Sequence, residues 1–464
     1  MSISSHEIII TNIQSGDTIS YPIPIIKGVI KNNAKTLCQS DKICLKTTTN
    51  TSYFKVTNNN FTILIELGIG ENNIDLHYCC SAHPFVINYF PRSTQFTVLP
   101  LYIICEGHDG NFQSPNTEVN TTESALKRIT LCSKLLQSVI AEKLYEENHG
   151  RKTFQLENNC TVFKSRLNYL KARKMNQNEL WTAIGEEIVN SNLEYERIKF
   201  LGFLSCTNYR GENYHENLDY DDVLKITEAY VALGGGGLAL FGTACLYAWP
   251  ETLSQVIQRF EDRTIIDRTK FMDDSCYKGT LGACFSTTLG SVLHELCHTF
   301  DLGHTEVGIM GRGFDDIYKD FLCEERLDQS NDLECQKLKE KSGYGSLGKF
   351  VRERRKQKGI VNNIFLTKSC VTILAYHRWL NSFQLSDKVV KFDPLTKLVS
   401  STAGLRVIEL RDEENGMVLL HWIFDGRILK YSFKLPEEDL QKYGCKYVVF
   451  VEDNHGNILK HVNM

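Results

Sequence analysis

Apolar and polar positions change their rhythm twice along the chain, and the changes divide it into three. From residue 8 to about residue 98, short runs such as EIIITNI, SYFKVT, FTILIELGI and QFTVLP alternate apolar with polar residues. Clusters of Gly, Asn, Asp and Pro separate them, which predicts a small β-sandwich. At Leu99 the alternation gives way to LPLYIICEG, a nearly continuous apolar run of the kind expected for a strand buried on both faces. A long helix should follow. Thr121 or Thr122 can cap its start, and Ala125, Ile129, Cys132, Leu136, Val139 or Ile140, and Lys143 or Leu144 recur on one helical face. A strand at TFQLEN, a helix over residues 179–189 and a buried strand over residues 198–206 complete a βαβαβ order, which argues for a mixed or parallel sheet with helices against it.

Residues 234–250, GGGGLALFGTACLYAWP, open with four glycines that weaken regular structure but let another backbone come close. The remainder alternates as a strand does. The stretch reads either as a flexible turn ahead of a strand or as an exposed edge that pairs with an extended peptide. A helix over about 251–260, a loop, and a helix starting near Thr288 come next. After Tyr344 the chain predicts a basic helical stretch and a helical segment ending in TILAYHRWLN. The rhythm changes again at Asp393-Pro394. From Leu405 the runs LRVIEL, MVLLHWIF, LKYSFKL and KYVVFVED alternate, with turn signals at Glu414-Asn415-Gly416 and Asp425-Gly426. The expected fold class is therefore an α/β (α+β) domain with a mixed sheet over residues 99–392, flanked by small all-β domains over 1–98 and 393–464.

At 464 residues, with 42% hydrophobic and 23% charged positions, the chain has the composition of a globular protein of more than one domain. A formal net charge of -4 supplies no overall basic field for nucleic acid. The dense basic run RERRKQK, residues 352–358, reads as the solvated face or end of a helix, with a nucleic-acid or anionic-surface role as the alternative. No signal peptide or membrane-spanning run is seen, so the expected localisation is cytoplasmic, with no nucleic-acid or membrane partner. Sixteen cysteines at irregular spacing read as free, mostly buried thiols, although N-x-[ST] matches at Asn50, Asn60, Asn120 and Asn159 keep a secreted alternative open. Cys79, Cys80 and His83 read as packed-strand residues in preference to a metal cluster.

The chemistry concentrates in SVLHELCHTFDLGHTEVGIMGRGFDD, which starts at Ser291. On a helix His294 and His298 project from one face, one turn apart, where two imidazoles can reach one metal ion. Glu295 sits beside them, placed to act as general base on water at that metal. His304 follows Gly303, which lets the chain leave the helix and swing a third imidazole back. Three protein ligands leave a fourth position open, the mark of a catalytic zinc site. Met310 lies in GIMG, where flanking glycines permit a tight turn. Cys297 should face the core.

HELCHTFDLGH resembles the HExxHxxGxxH zinc motif of the metzincin peptidases, and Met310 resembles their Met-turn. The βαβαβ order, the glycine-rich approach to an edge strand and the helix after it are similar to the metzincin catalytic domain. More narrowly, HELCHTFDLGHT, GIMGRGFDD and GGGGLALFG resemble a little-characterised family assigned as zinc metallopeptidases in fungi and animals, over roughly residues 100–385. The resemblance implies one catalytic Zn2+ on His294, His298 and His304, with Glu295 activating the attacking water, and a peptide or protein substrate. It departs from the metzincin pattern at Asp301, where glycine is expected. Asp301 thereby becomes an alternative third ligand or an acceptor for an imidazole N–H. Glu324 and Glu325 suit a downstream glutamate ligand or a solvated helix, and Tyr318, Tyr344 and Tyr376 are candidate oxyanion donors. A strand over 238–246 would hold substrate by β-pairing. The leading expectation is a zinc endopeptidase. The alternatives are a peptidase-derived interaction protein with structural zinc and a zinc hydrolase of a non-peptide amide or ester.

Overall fold

The computed structural model describes residues 6–32, 40–48, 50–157, 159–191, 193–323, 364–382, 389–426, 428–443 and 446–462. The basic run 352–358, Tyr344, Glu324 and Glu325 lie outside them.

Eight strands between His6 and Tyr89 form one continuous path. All neighbours are antiparallel except the short Thr18–Ile19, which runs parallel to Ser81–Tyr89. The sheet folds over so that His6–Ile10 meets Ser81–Tyr89, enclosing Tyr21, Ile26, Phe61, Ile74 and Phe85. Cys79 and Cys80 sit in the tight turn between the seventh and eighth strands, with Cys79 at φ +48°.

In the central sheet Thr97–Glu106, Ile198–Leu204 and Leu238–Gly242 are parallel neighbours. Gln155–Leu156 and Thr161–Asn168 add in parallel beyond Thr97–Glu106, and Ala232–Gly235 closes the opposite edge antiparallel to Leu238–Gly242. The apolar run at Leu99 is explained by its two faces. Val98, Tyr102 and Ile104 pack toward the helices Thr122–Glu146 and Leu281–Thr299, while Leu99, Leu101, Ile103 and Cys105 pack toward the helix Gln177–Val189. Thr121 caps the long helix as its sequence implies, accepting from the N–H of Ser124.

Three local expectations change. The strand expected at TFQLEN shrinks to two residues, because Phe154 turns into the core; the longer strand Thr161–Asn168 escaped notice because most of its side chains are exposed and polar. The histidine helix starts at Leu281, capped by Thr280, and its first turns are buried nearly all round, which hides any apolar stripe. Within residues 234–250, Leu238–Gly242 is paired on both sides and residues 246–248 form a 3-10 turn, so the expected peptide-holding strand 238–246 has no open edge. The edge belongs to Ala232–Gly235.

After the central layer come six antiparallel strands organised around the 15-residue Leu398–Asp412, which pairs with four of the others. The three sheets share apolar contacts. Ile25 and Leu64 of the first, and Val407 and Phe450 of the last, belong to the same buried cluster as the histidine helix. The architecture is mixed α/β with β-sheets on both sides in sequence. Among the described residues no helix is long and apolar enough to cross a membrane.

Candidate metal centre

The histidine helix is held in place by close approach on two sides. Gly290 faces the 3-10 helix Gly313–Asp320 so tightly that a Cβ there would lie 1.9 Å from Phe314 O, and Ser286 Oγ donates to Asp315 O at 2.9 Å. Gly234 of the edge strand touches the helix at Glu295, where a Cβ would fall 2.0 Å from the Glu295 carbonyl oxygen. Glycine is required at both positions by space.

The helix ends in a Schellman turn. Phe300 is the C-cap, Asp301 N–H donates to His298 O at 3.1 Å and Leu302 N–H to Cys297 O at 3.2 Å. Asp301 adopts φ +65°, the left-handed conformation that glycine would otherwise supply, and Asp is among the few residues that tolerate it. The departure from the metzincin pattern thus leaves the turn intact. The Asp301 carboxylate pairs with His377 Nε2 at 3.2 Å and Lys460 Nζ at 2.6 Å. Burial opposes its ionisation, but His377 and Lys460 outweigh it and hold the carboxyl well below the usual range.

His294, His298 and His304 are brought together with all three candidate ligand atoms within 4.8 Å of one another; the first is buried and the others half-buried. Each Nδ1 contacts a backbone carbonyl: His294 that of Ile309 at 2.8 Å, His298 that of Leu302 at 2.8 Å, and His304 that of Asn415 at 2.7 Å. A carbonyl only accepts, so each Nδ1 carries the hydrogen and each neutral ring turns an Nε2 lone pair inward. His298 Nε2 lies 3.1 Å from His294 Nε2 and 3.0 Å from His304 Nε2. Three lone pairs facing one another repel unless something electrophilic sits among them, and ~2.0–2.1 Å bonds at tetrahedral angles would set such nitrogens ~3.3–3.4 Å apart. The donor set fits zinc. Burial pushes all three imidazoles toward the neutral form that binds metal, His298 to about 3 and His294 well below its ordinary value; neighbouring histidines add to the effect at His294 and His298, and Arg411 adds to it at His304.

Glu295 Oε2 accepts from Gly234 N–H at 2.7 Å. Burial pushes its carboxyl up to about 8, against the pull of that N–H. Met310 is buried in the turn that follows His304, where Thr305 N–H donates to Met310 O at 2.9 Å. Cys297 packs in the core, where burial pushes its thiol up. Tyr318 is buried in the 3-10 helix beneath Lys278, and Tyr376 packs among Lys152, Arg406 and His149. Sequence reasoning missed Asn415. Its turn signal was visible, but nothing in the local pattern says that a turn 111 residues away returns to His304.

Residues 7–344 match the sequence model of a family described as “Putative peptidase family”. A Saccharomyces cerevisiae protein named “Putative zinc metalloproteinase” is 25% identical over 353 residues, which are 70% of this chain and 50% of that protein. A Schizosaccharomyces pombe protein with the same designation is 23% identical over 248 residues, 48% of this chain and 38% of its own length. The chain thus spans half or less of the curated relatives it matches. Among solved structures, OgpA from Akkermansia muciniphila aligns over 80% of this chain and 93% of its own at 12% identity, with a TM-score of 0.39. That likeness is too loose to define the fold.

Proposed function

The chain belongs to the Metallopep family, a “Putative peptidase family”, and from that premise we propose that it is a zinc-dependent endopeptidase with a metzincin-like centre, in which His294, His298 and His304 hold the ion and Glu295 is the general base. The observation that carries the reading is the convergence of three Nε2 atoms whose Nδ1–H groups are each taken by a backbone carbonyl. Zinc bound there supplies Lewis acidity that polarises a carbonyl and acidifies water. Glu295 does the proton work. Its Oε2 is held by Gly234, so Oε1 is the oxygen that takes a proton from water and returns it to the leaving amine. The edge strand Ala232–Gly235 gives an extended peptide a backbone to pair with, beside the base. Met310 and the βαβαβ order support the metzincin-like assignment.

The test combines elemental analysis with turnover of a peptide library. Wild type is expected to hold one zinc per chain, and His304→Ala to lose most of it. Glu295→Gln should keep the metal while kcat/KM falls by ~10²–10⁴, the usual contribution of a general base. A wild type without zinc, or a Glu295→Gln variant as active as wild type, would overturn the assignment.

A further inference from the structure

His294 and His298 are oriented from within the segment that carries them, through Ile309 and Leu302. His304 is different. Its backbone N–H donates to Gly416 O at 3.0 Å, its carbonyl accepts from Val418 N–H at 2.9 Å, and its Nδ1–H goes to Asn415 O at 2.7 Å. Asn415 and Gly416 lie in the hairpin turn between Leu398–Asp412 and Val418–Ile423 of the C-terminal sheet, and Val418 opens the second of these strands. Gly303 lets that turn close on the chain, since a Cβ there would lie 2.8 Å from Gly416 O and 3.0 Å from Arg411 Nε.

The turn is braced against movement. Asp412 Oδ1 accepts from the N–H groups of Glu414 and Asn415 at 2.9 and 3.1 Å, Asn415 Oδ1 accepts from Met417 N–H at 2.9 Å, and Gly416 N–H donates to Asp412 O at 3.0 Å. Gly416 holds φ +69°. Farther along, Lys460 of the same sheet reaches Asp301 beside the helix end.

We infer that the turn of residues 412–418 is a positioning element of the metal centre: docked, it aims the third imidazole, and undocked it leaves a two-histidine site. This rests on the zinc reading above. It also extends that reading beyond the family match, which stops at residue 344. The C-terminal sheet is then part of the site, and whatever loosens the sheet weakens the hold on metal.

Gly416 separates positioning from packing. An ideal Cβ there lies 3.8 Å from His304 Nδ1, an ordinary contact, so a Cβ fits and what it meets is the strain of φ. Valine is poorly suited to that φ, whereas asparagine tolerates it. The experiment uses the full chain as wild type, Gly416→Val, Gly416→Asn and His304→Ala. Zinc affinity is read by competition with a chromogenic chelator, and ligand geometry by the visible spectrum of the Co2+ form. Gly416→Val is expected to bind zinc ~10–100-fold more weakly, as metal sites do when a ligand loses its hydrogen-bonding partner. Its cobalt spectrum should move toward that of His304→Ala, and adding Gly416→Val to His304→Ala should weaken binding no further. Gly416→Asn should restore wild-type affinity and spectrum. If Gly416→Val does not fold, Asn415→Ala replaces it; this variant loses the brace to Met417 and should show the same spectral shift to a smaller degree. Zinc held equally by wild type and the folded variant, with unchanged cobalt spectra, overturns this inference alone. A wild type that binds no zinc overturns the peptidase reading and this inference with it.

Discussion

Asp274 lies in the pocket against the histidine helix, lined also by Tyr230, Met272, Thr288 and Ser291, and its carboxylate accepts from Tyr220 Oη at 3.2 Å. Burial pushes the carboxyl up to about 6; Arg312 and Tyr220 pull it down, and Asp315 and Asp273 push it further up. The sign of the linkage follows. Between the unfolded value of ~3.9 and the folded value, the folded chain keeps a proton that the unfolded chain has released, so stability falls as pH rises through that interval. Asn keeps an acceptor for Tyr220 and cannot ionise. Asp274→Asn is therefore expected to be more stable than wild type above pH 6 by roughly 3 kcal/mol, with the gap closing near pH ~4. Chemical denaturation at both pH values checks this, and a gap that does not change with pH would remove burial of charge as its cause. At the same scale, HELCH was readable because spacing alone places two imidazoles on one helical face. Asp301 was not, because glycine and aspartate differ in sequence but share the left-handed conformation used there.

Elements meet here through missing side chains. Alanine normally favours a helix over glycine by ~1 kcal/mol, but at position 290 its Cβ would sit 1.9 Å from Phe314 O. The clash should win. Gly290→Ala is expected to lose ~1–3 kcal/mol, as overpacked sites do, seen as a lower midpoint in urea. An unchanged or raised midpoint would mean that the 3-10 helix does not cross where it is placed. Such crossings explain why the length and start of the histidine helix were hard to read: a helix buried nearly all round shows no stripe. The strands of the C-terminal sheet were easier, because LRVIEL and KYVVFVED lie within Leu398–Asp412 and around Tyr447–Asp453. The edge strand was misplaced by a few residues because glycines carry no apolar signal, although GGGG did mark the close backbone approach.

At the scale of the whole molecule, a shared apolar cluster joins the three sheets, and the proposed ion lies where the central layer meets the last sheet. An ion that binds the folded chain and not the unfolded one stabilises it by mass action, ~2.7 kcal/mol at a free concentration 100 times Kd. Chelation should accordingly lower the calorimetric melting temperature, and zinc should restore it while magnesium does not. A melt indifferent to chelation would show that the histidine triad holds no ion. The three-part rhythm of the sequence was legible in outline, but the joining of the parts was not, since alternation shows which face is buried and never what covers it. The contact between Gly234 and Glu295 has a last consequence. A peptide laid along Ala232–Gly235 meets a ladder with one rung already taken, because the N–H of Gly234 is engaged by the carboxylate. Its register must be set by the neighbouring rungs, or won by displacing the base from its tether.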